Sequence, residues 1–390
     1  MVVDGWVWVW EAPPYEERFL IQPYQNPHFL TFSSLLCMMK LQLSAQCNTT
    51  WEVFSVDKNK RISSIRMFCT TAVVLLHITQ QYETLFPSVR FITDWLNLGL
   101  VMFFCISAFL YARRTISNPP VWFIKRYQSL LIPSVLWGCF LLILLITLTP
   151  STTDIGSTIL SCIGLEVWCQ NPGLFQQLWF LTYILFCYLT VPLIQEIPCQ
   201  TCRERTFWAR LFMGTVIAQV LVFAAERILN IELLSVGVLL RFYLPYFVFR
   251  RYDPLGEPLL RIMKPASVLA FAIMIITCLC RYTDLIPLPA SLRELIFIYT
   301  QTFSGFVLFF WLYRALATNP FPEKLLQISD IYSYEIYLTH CMFIGYSTSV
   351  IRAFDFHFIG VILALLLTGI SSFILHAVSG SLLNFSKHFH

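Results

Sequence analysis

Long apolar stretches separated by short polar breaks run along the chain from about residue 66 to residue 380. A membrane-spanning helix needs about 20 mainly apolar residues, and most of these stretches reach or approach that length. They predict spans at residues 66–86, 95–112, 127–149, 177–196, 207–228, 232–250, 265–281, 293–317, 329–349 and 356–380. The amphipathic stretch 155–170, in the longest loop, predicts a helix that lies in the membrane interface.

The first 57 residues follow a different pattern, because they mix Trp, Pro, Glu and Gln without a long apolar run. Their most apolar part, residues 28–45, is interrupted by Lys40. We interpret 1–57 as a tail that is disordered or loosely attached, or that precedes the native start. The transmembrane domain is predicted to occupy residues 58–390.

Composition supports a membrane protein, since 57% of the residues are hydrophobic and only 12% are charged. A soluble domain has roughly 45–50% apolar and about 25% charged residues. The net charge of +4 is modest and says little about partners. The apolar excess predicts membrane lipid as a partner, and nucleic acid is not expected. Most of the 13 cysteines lie in apolar runs, which predicts neither a disulfide framework nor a metal site. The lone pair Cys199 and Cys202 lacks the second pair that a zinc site needs.

The distribution of Lys and Arg predicts how the chain is oriented. Loops on the side where the first span begins hold 18 of the 26 basic residues, and the long loop 150–176 holds none. Basic loops face the cytoplasm. The sequence therefore predicts an all-α bundle of about ten transmembrane helices with both termini cytoplasmic.

Two ionisable residues of the first predicted span are candidates for function, because such groups are costly inside a membrane. Arg66 opens the span, and His77 follows eleven residues later. Eleven residues turn a helix through about three turns, so both side chains share one face, about 16 Å apart. This spacing suits an anion near Arg66 and proton transfer at His77. Two plainer interpretations stay open: Arg66 as a topology signal, and His77 as a neutral hydrogen-bonding residue.

Further polar residues occur in later spans. His340 lies about eleven residues into the ninth span, at the expected depth of His77, which suggests a shared cavity. Arg241 lies in the middle of the sixth span and needs a counter-ion, water or a carbonyl. Lys125 and Arg126 begin the third span and join Arg66 in a basic cytoplasmic rim. That rim suits the phosphates of a cytosolic donor, anionic lipid headgroups, or a purely topological role.

Five strings, in order, resemble the acyltransferase 3 family, whose members O-acylate glycans, lipids and other small acceptors at membranes. The strings are RMFCTTAVVLLH (66–77), MFFCISAFLYARR (102–114), FIKRYQSLLIPSVLW (123–137), LWFLTYILFCYLTVP (178–192) and ISDIYSYEIYLTH (328–340). The first contains the family's Arg, ten residues and then His. Together the strings extend over roughly residues 60–385, and ten spans with both ends inside also fit that family.

The resemblance implies an acyl-CoA donor, usually acetyl-CoA, that enters from the cytoplasm as a substrate, with no permanently bound cofactor. His77 would be the catalytic residue, and Arg66, Lys125 and Arg126 would hold CoA. The acceptor would be a hydroxyl of a glycan or lipid-linked sugar on the outer side. The implied location is a bacterial cytoplasmic membrane.

The ninth-span string adds Tyr337 and His340 as possible site-lining residues, beside Trp179 and Arg241. The chain departs from the family at Ser129, where a second arginine often follows Arg126. Two other functions stay open. One is a non-enzymatic transporter or exporter with a histidine proton relay, and the other is a scaffold or sensor with a decayed site.

Overall fold

Helices form nearly all of the regular structure in the computed structural model. It describes residues 60–387 apart from 84–85, 87, 149–154, 170–174, 198–202, 230–232, 284–287, 317–320, 346–348 and 355–356. No strand occurs in the residues described. The predicted tail 1–57 and the pair Cys199 and Cys202 lie outside them.

Ten long helices occur in this part of the chain, and each overlaps one predicted span. They are α1 (Lys60–Tyr82), α2 (Val89–Ala112), α3 (Pro119–Leu148), α4 (Trp179–Ile194), α5 (Glu204–Leu229), α6 (Val236–Arg251), α7 (Glu257–Thr283), α8 (Ala290–Ala315), α9 (Glu323–Ile344) and α10 (His357–Lys387). The short helical segment Ile155–Trp168 lies between α3 and α4, where the interfacial helix is predicted.

Seven of these helices are long and apolar enough to cross a membrane. Helices α4 and α6 have 16 residues each, a length of about 24 Å against a hydrocarbon core of about 30 Å. Helix α9 is long enough but carries several charged residues. The all-α, multi-pass architecture is therefore confirmed, while the count of ten spans and the orientation of the termini stay predictions.

Helix α2 occupies the centre of the bundle, and α5 lies at its edge. In the most apolar window of each helix, 72% of α2 is buried within the protein, against 6% of α5. Two glycines allow close approaches around the centre: a Cβ on Gly99 would lie 2.7 Å from that of Ala72, and one on Gly305 would lie 2.6 Å from Val101. Helices α1 and α8 can therefore pack tightly on α2.

Helices α1 and α9 lie side by side and run in the same direction, because their early residues meet each other and their late residues meet each other. Both begin about six residues earlier than predicted, at Lys60 and Glu323. Arg66, which is predicted to open the first span, therefore lies about 9 Å inside α1; where the span itself begins stays a prediction. The added turns are helical because Ile62 and Ile65 are buried in the core, where backbone groups need intrahelical partners.

Candidate active site

Near the first turns of both helices, which we call the early end of the α1–α9 contact, an ion pair joins the two helices. Arg66, 7% exposed, donates from Nη1 to Oδ1 of Asp330 at 2.5 Å. The hydroxyl of Ser63, one turn earlier on α1, donates to the other carboxylate oxygen. Asp330 is thus bonded on both oxygens, and a pair buried in this way needs such extra hydrogen bonds to offset desolvation.

The late end of the same contact brings two histidines together. The ring centroids of His77 and His340 lie 5.0 Å apart. The predicted match in depth is therefore present, and it follows from the parallel packing of α1 and α9. Arg66 and His77 both face α9, which confirms that they share one face of α1.

Hydrogen bonds orient both imidazole rings. Nδ1 of His77 lies 2.7 Å from Oε1 of Gln80, one turn later on α1. Nδ1 of His340 lies 2.8 Å from the main-chain oxygen of Ile336. Because these oxygens only accept, each Nδ1 carries the proton. In the neutral rings, Nε2 of His340 then lies 3.3 Å from Sγ of Cys341 and can accept from its thiol, while the Nε2 lone pair of His77 remains for other chemistry.

A cavity of about 1070 Å³ lies beside His77. It is lined by the late part of α1 and the early part of α2, together with residues from α4, α6, α7, α8 and α9 and from the segment Ile155–Trp168. This volume is large for a small-molecule pocket, for which about 300–1,000 Å³ is usual. His340 is fully buried behind His77 and is not among the lining residues.

Three of the residues predicted to line a site border this cavity: Trp179, Arg241 and Tyr337. The Tyr337 hydroxyl donates to the main-chain oxygen of Gln177, just before α4. The ring of Trp179 lies 5.7 Å from that of Tyr183, another lining residue. The structure thus brings His77 and these three predicted residues to one space.

The predicted donor-binding residues lie away from this cavity. Arg66 is held in its ion pair, Lys125 is exposed, and the Arg126 guanidinium lies 5.9 Å from the ring centre of Tyr111. Arg114 lies close to Arg126: burial lowers the pKa of Arg114, and the positive charge of Arg126 adds to this lowering. Lys125, Arg126 and Arg114 therefore form a basic group near the start of α3.

Glu166 is a cavity residue that the sequence analysis missed. It follows Gly164, whose φ of +89° suits glycine, in the short segment Ile155–Trp168. A side chain at Gly164 would also collide with Leu185, so the tight turn fixes where Glu166 points. Burial raises the pKa of Glu166 to about 7. The available signal was an acid in an apolar stretch of a loop without Lys or Arg.

Three more positioning residues were missed. Gln80 holds the ring of His77, Gln301 accepts from Nη2 of Arg241 at 3.3 Å, and Asp330 pairs with Arg66. The position of Gln80, three residues after His77, is a detectable signal, since residues at that spacing are neighbours on a helix. The other two contacts join residues 60 and 264 positions apart, which a single sequence does not reveal.

Although no metal site was predicted, one group of side chains could hold a soft ion. The ligand atoms of His77, His340 and Cys341 lie within 4.8 Å of one another. Both rings donate Nδ1–H to an oxygen, as metal-binding histidines commonly do. The prediction of no metal is left untested by this geometry.

A family model described as an acyltransferase domain, that of the acyltransferase 3 family, matches residues 59–378. The match covers all of the residues that form the cavity and both ends of the α1–α9 contact. No curated protein and no solved structure matches the chain.

Proposed function

The chain belongs to the acyltransferase 3 family, and on that premise we propose that it moves an acyl group from cytoplasmic acyl-CoA to an acceptor hydroxyl. Membrane acyl transfer is the activity of the family. Acetyl as the acyl group, and a glycan or lipid-linked sugar as the acceptor, are the finer parts of the proposal. We also propose the full count of ten spans, with both termini cytoplasmic, in a bacterial cytoplasmic membrane.

The observation that carries the proposal is the setting of His77. The ring borders a cavity large enough for a sugar unit, and Gln80 holds Nδ1 so that Nε2 serves as the base. A base held in one tautomer by a neighbouring acceptor is the usual arrangement for activating a hydroxyl. His340 packs against the ring and restricts its rotation.

The proposed reaction uses His77 as a general base. Nε2 takes the proton of the acceptor hydroxyl while its oxygen attacks the thioester carbonyl carbon. The carbon–sulfur bond then breaks, and the CoA sulfur leaves with the proton that His77 returns. In the alternative route, Nε2 itself attacks the thioester carbonyl carbon and the carbon–sulfur bond breaks, so that CoA leaves as a thiolate. The acceptor hydroxyl then attacks the acyl-imidazole, the carbon–nitrogen bond breaks to restore His77, and the hydroxyl proton goes to the CoA sulfur.

The two substrates are proposed to approach from opposite sides. Arg90, Arg281 and Arg352, which belong to loops predicted to face outward, border the cavity. This position supports entry of a surface acceptor from outside. The basic group near the start of α3 supports binding of CoA phosphates on the cytoplasmic side.

Arg66 is proposed to contribute to CoA binding as well as to its ion pair. A guanidinium has five N–H donors, and one of its terminal nitrogens bonds Asp330. Ser129, at the position where the family often has a second arginine, donates to the main-chain oxygen of Arg126 within α3. Lys125 and Arg114 would then supply the charge that Ser129 lacks.

The test uses purified protein in nanodiscs with radiolabelled acetyl-CoA, and follows both binding and release of free CoA. His77→Ala should bind acetyl-CoA but lose release by about 100- to 10,000-fold, the usual contribution of a general base. His376→Gln is the matched control, since this histidine contacts Glu335 and lies outside the cavity. Normal release by His77→Ala would refute the mechanism, and absence of acetyl-CoA binding by folded wild type would favour a transporter.

A further inference from the structure

Arg241 is a buried cation that faces the cavity, and its guanidinium has few hydrogen-bond partners among the described residues. It is 4% exposed, in the middle of α6, and it borders the cavity. Its one side-chain hydrogen bond in the described part of the chain runs from Nη2 to Oε1 of Gln301, at 3.3 Å. Its Nε is buried there without a partner.

Gln301 orients Arg241 without neutralising it. The same Oε1 also accepts from Nδ2 of Asn97 at 3.0 Å, so one neutral oxygen serves two donors. A buried charge without a counter-ion costs several kcal/mol, and ionisable residues inside a membrane usually mark a functional site. The arrangement leaves the positively charged guanidinium of Arg241 available to bind an anion.

Three of the acidic side chains that border the cavity form ion pairs with other arginines. Glu83 pairs with Arg90 at 3.3 Å. Asp94 and Glu294 pair with Arg281, at 3.2 and 3.3 Å. Glu294 acts on Arg241 only at longer range.

Glu166 also borders the cavity, but it forms no ion pair with Arg241. None of the carboxylates described around the cavity therefore neutralises Arg241.

We propose that Arg241 binds a carboxylate of the acceptor, so that the acceptor is a hydroxylated acid of the uronic-acid type. This inference rests on the proposed function, since it assigns an acceptor subsite to the cavity that His77 borders. A single negative charge matches the one buried guanidinium of the described cavity lining that forms no ion pair; Arg352, which also borders the cavity, is exposed. A dianionic phosphate would bring a second negative charge that this guanidinium does not neutralise. Arginine is also the side chain whose planar fork fits a carboxylate best.

The test measures thermal stability of the full chain in nanodiscs with three small probes: glucuronate, glucose and glycerol 3-phosphate. A ligand that binds only the folded state raises its melting temperature, and the rise increases with the ratio of ligand concentration to Kd. Glucuronate should raise the melting temperature, and glucose at the same concentration should have little effect. Glycerol 3-phosphate should act more weakly than glucuronate.

Three variants then assign the effect to one side chain. Arg241→Gln should weaken glucuronate binding about 10- to 100-fold, the loss expected for a charged hydrogen-bond partner. Arg241→Lys keeps the charge without the planar fork and should lie in between. Arg113→Gln is the matched control, because it removes an arginine that pairs with Asp253 and lies outside the cavity, and it should bind glucuronate like wild type.

Each result either supports or overturns the proposed carboxylate subsite. Equal stabilisation by glucose and glucuronate, or unchanged glucuronate binding in Arg241→Gln, would overturn the proposal. If Arg241→Gln does not fold, the difference between glucose and glucuronate in wild type still decides. His77→Ala should keep glucuronate binding while it loses acyl transfer. If wild type binds glucuronate but transfers no acyl group, the proposed function is refuted and the carboxylate subsite stands.

Discussion

The two ends of the α1–α9 contact differ in chemistry although they belong to the same pair of helices. At the early end, Arg66 and Asp330 form a buried ion pair supported by Ser63. At the late end, the rings of His77 and His340 pack at an angle to each other, neither has a carboxylate partner in the described residues, and His77 borders a cavity. One end satisfies its polar groups within the protein, while at the other end Nε2 of His77 has no hydrogen-bond partner among the described residues.

This difference indicates how one helix pair can serve both packing and catalysis. A buried ion pair with correct geometry fixes the register of two helices, because a slip leaves two charges unpaired. With the register fixed, the histidines about 16 Å further along are brought into contact without a hydrogen bond between them. The early end is thus expected to determine stability, and the late end to determine turnover.

The largest expected effect is on stability, from removal of one partner at the early end. Arg66→Ala leaves Asp330 buried without its cation and should lower the free energy of unfolding by about 3–5 kcal/mol. The double variant Arg66→Met with Asp330→Leu removes both charges and should recover most of this loss. Thermal unfolding in nanodiscs measures both.

The same double variant separates packing from donor binding. Under the proposed function, it should fold normally yet bind acetyl-CoA about tenfold more weakly, because one charge-assisted hydrogen bond is lost. Wild-type affinity in the folded double variant would restrict Arg66 to its structural contact. Lys125→Gln provides the comparison, since Lys125 is exposed and its loss should weaken binding without altering stability.

The next largest effect is expected from the residue that orients His77. Gln80→Leu removes the acceptor of the Nδ1–H bond and should lower kcat by about 10- to 100-fold, as loss of an orienting partner commonly does. Gln80→Glu keeps an acceptor oxygen at that position and should retain most of the activity. If both variants lose activity equally, the amide of Gln80 contacts substrate instead of orienting the ring.

A soft metal ion should inhibit acyl transfer by binding at the late end of the α1–α9 contact, which has the histidines, and not at the early end. Zn²⁺ binds imidazole nitrogen and thiolate sulfur, and His77, His340 and Cys341 offer these atoms within 4.8 Å. We expect added Zn²⁺ to inhibit acyl transfer by occupying Nε2 of His77. Cys341→Ser should require more Zn²⁺ for half-inhibition, while Cys169→Ser, also at the cavity, should behave like wild type. Identical inhibition in both variants would exclude this cluster as the zinc site.

Much of the bundle could be predicted from the sequence, because lipid demands long apolar helices with basic residues on one side. Each predicted span overlaps a helix. The shared face of Arg66 and His77 followed from helix geometry alone, and the common depth of His77 and His340 followed from the direction of the ninth span. The ring contact was not predicted, and the suggested shared cavity is bordered by His77 but not by His340.

The parts that escaped prediction depend on contacts between distant residues. The early start of α1 could not be predicted, because its polar first turns are stabilised by Asp330 from α9. Glu166 escaped because a single positive-φ turn at Gly164 brings a loop residue into the cavity. Neither feature produces a periodic pattern of apolar and polar residues in the sequence.

The smallest effect on stability is expected from Glu166, and this prediction tests whether its side chain adds a negative charge to the cavity. Burial raises the pKa of Glu166 from 4.5 to about 7, so ionisation disfavours the folded state as the pH rises through this range. Glu166→Gln lacks that penalty, and we expect it to match wild type near pH 4.5 and to melt at a higher temperature above pH 7. Melting curves at both pH values measure the difference, with Glu83→Gln as the control for a paired cavity acid. A constant difference between Glu166→Gln and wild type across this range would mean that Glu166 is solvated and ionised, and the cavity that His77 borders would then hold a further negative charge.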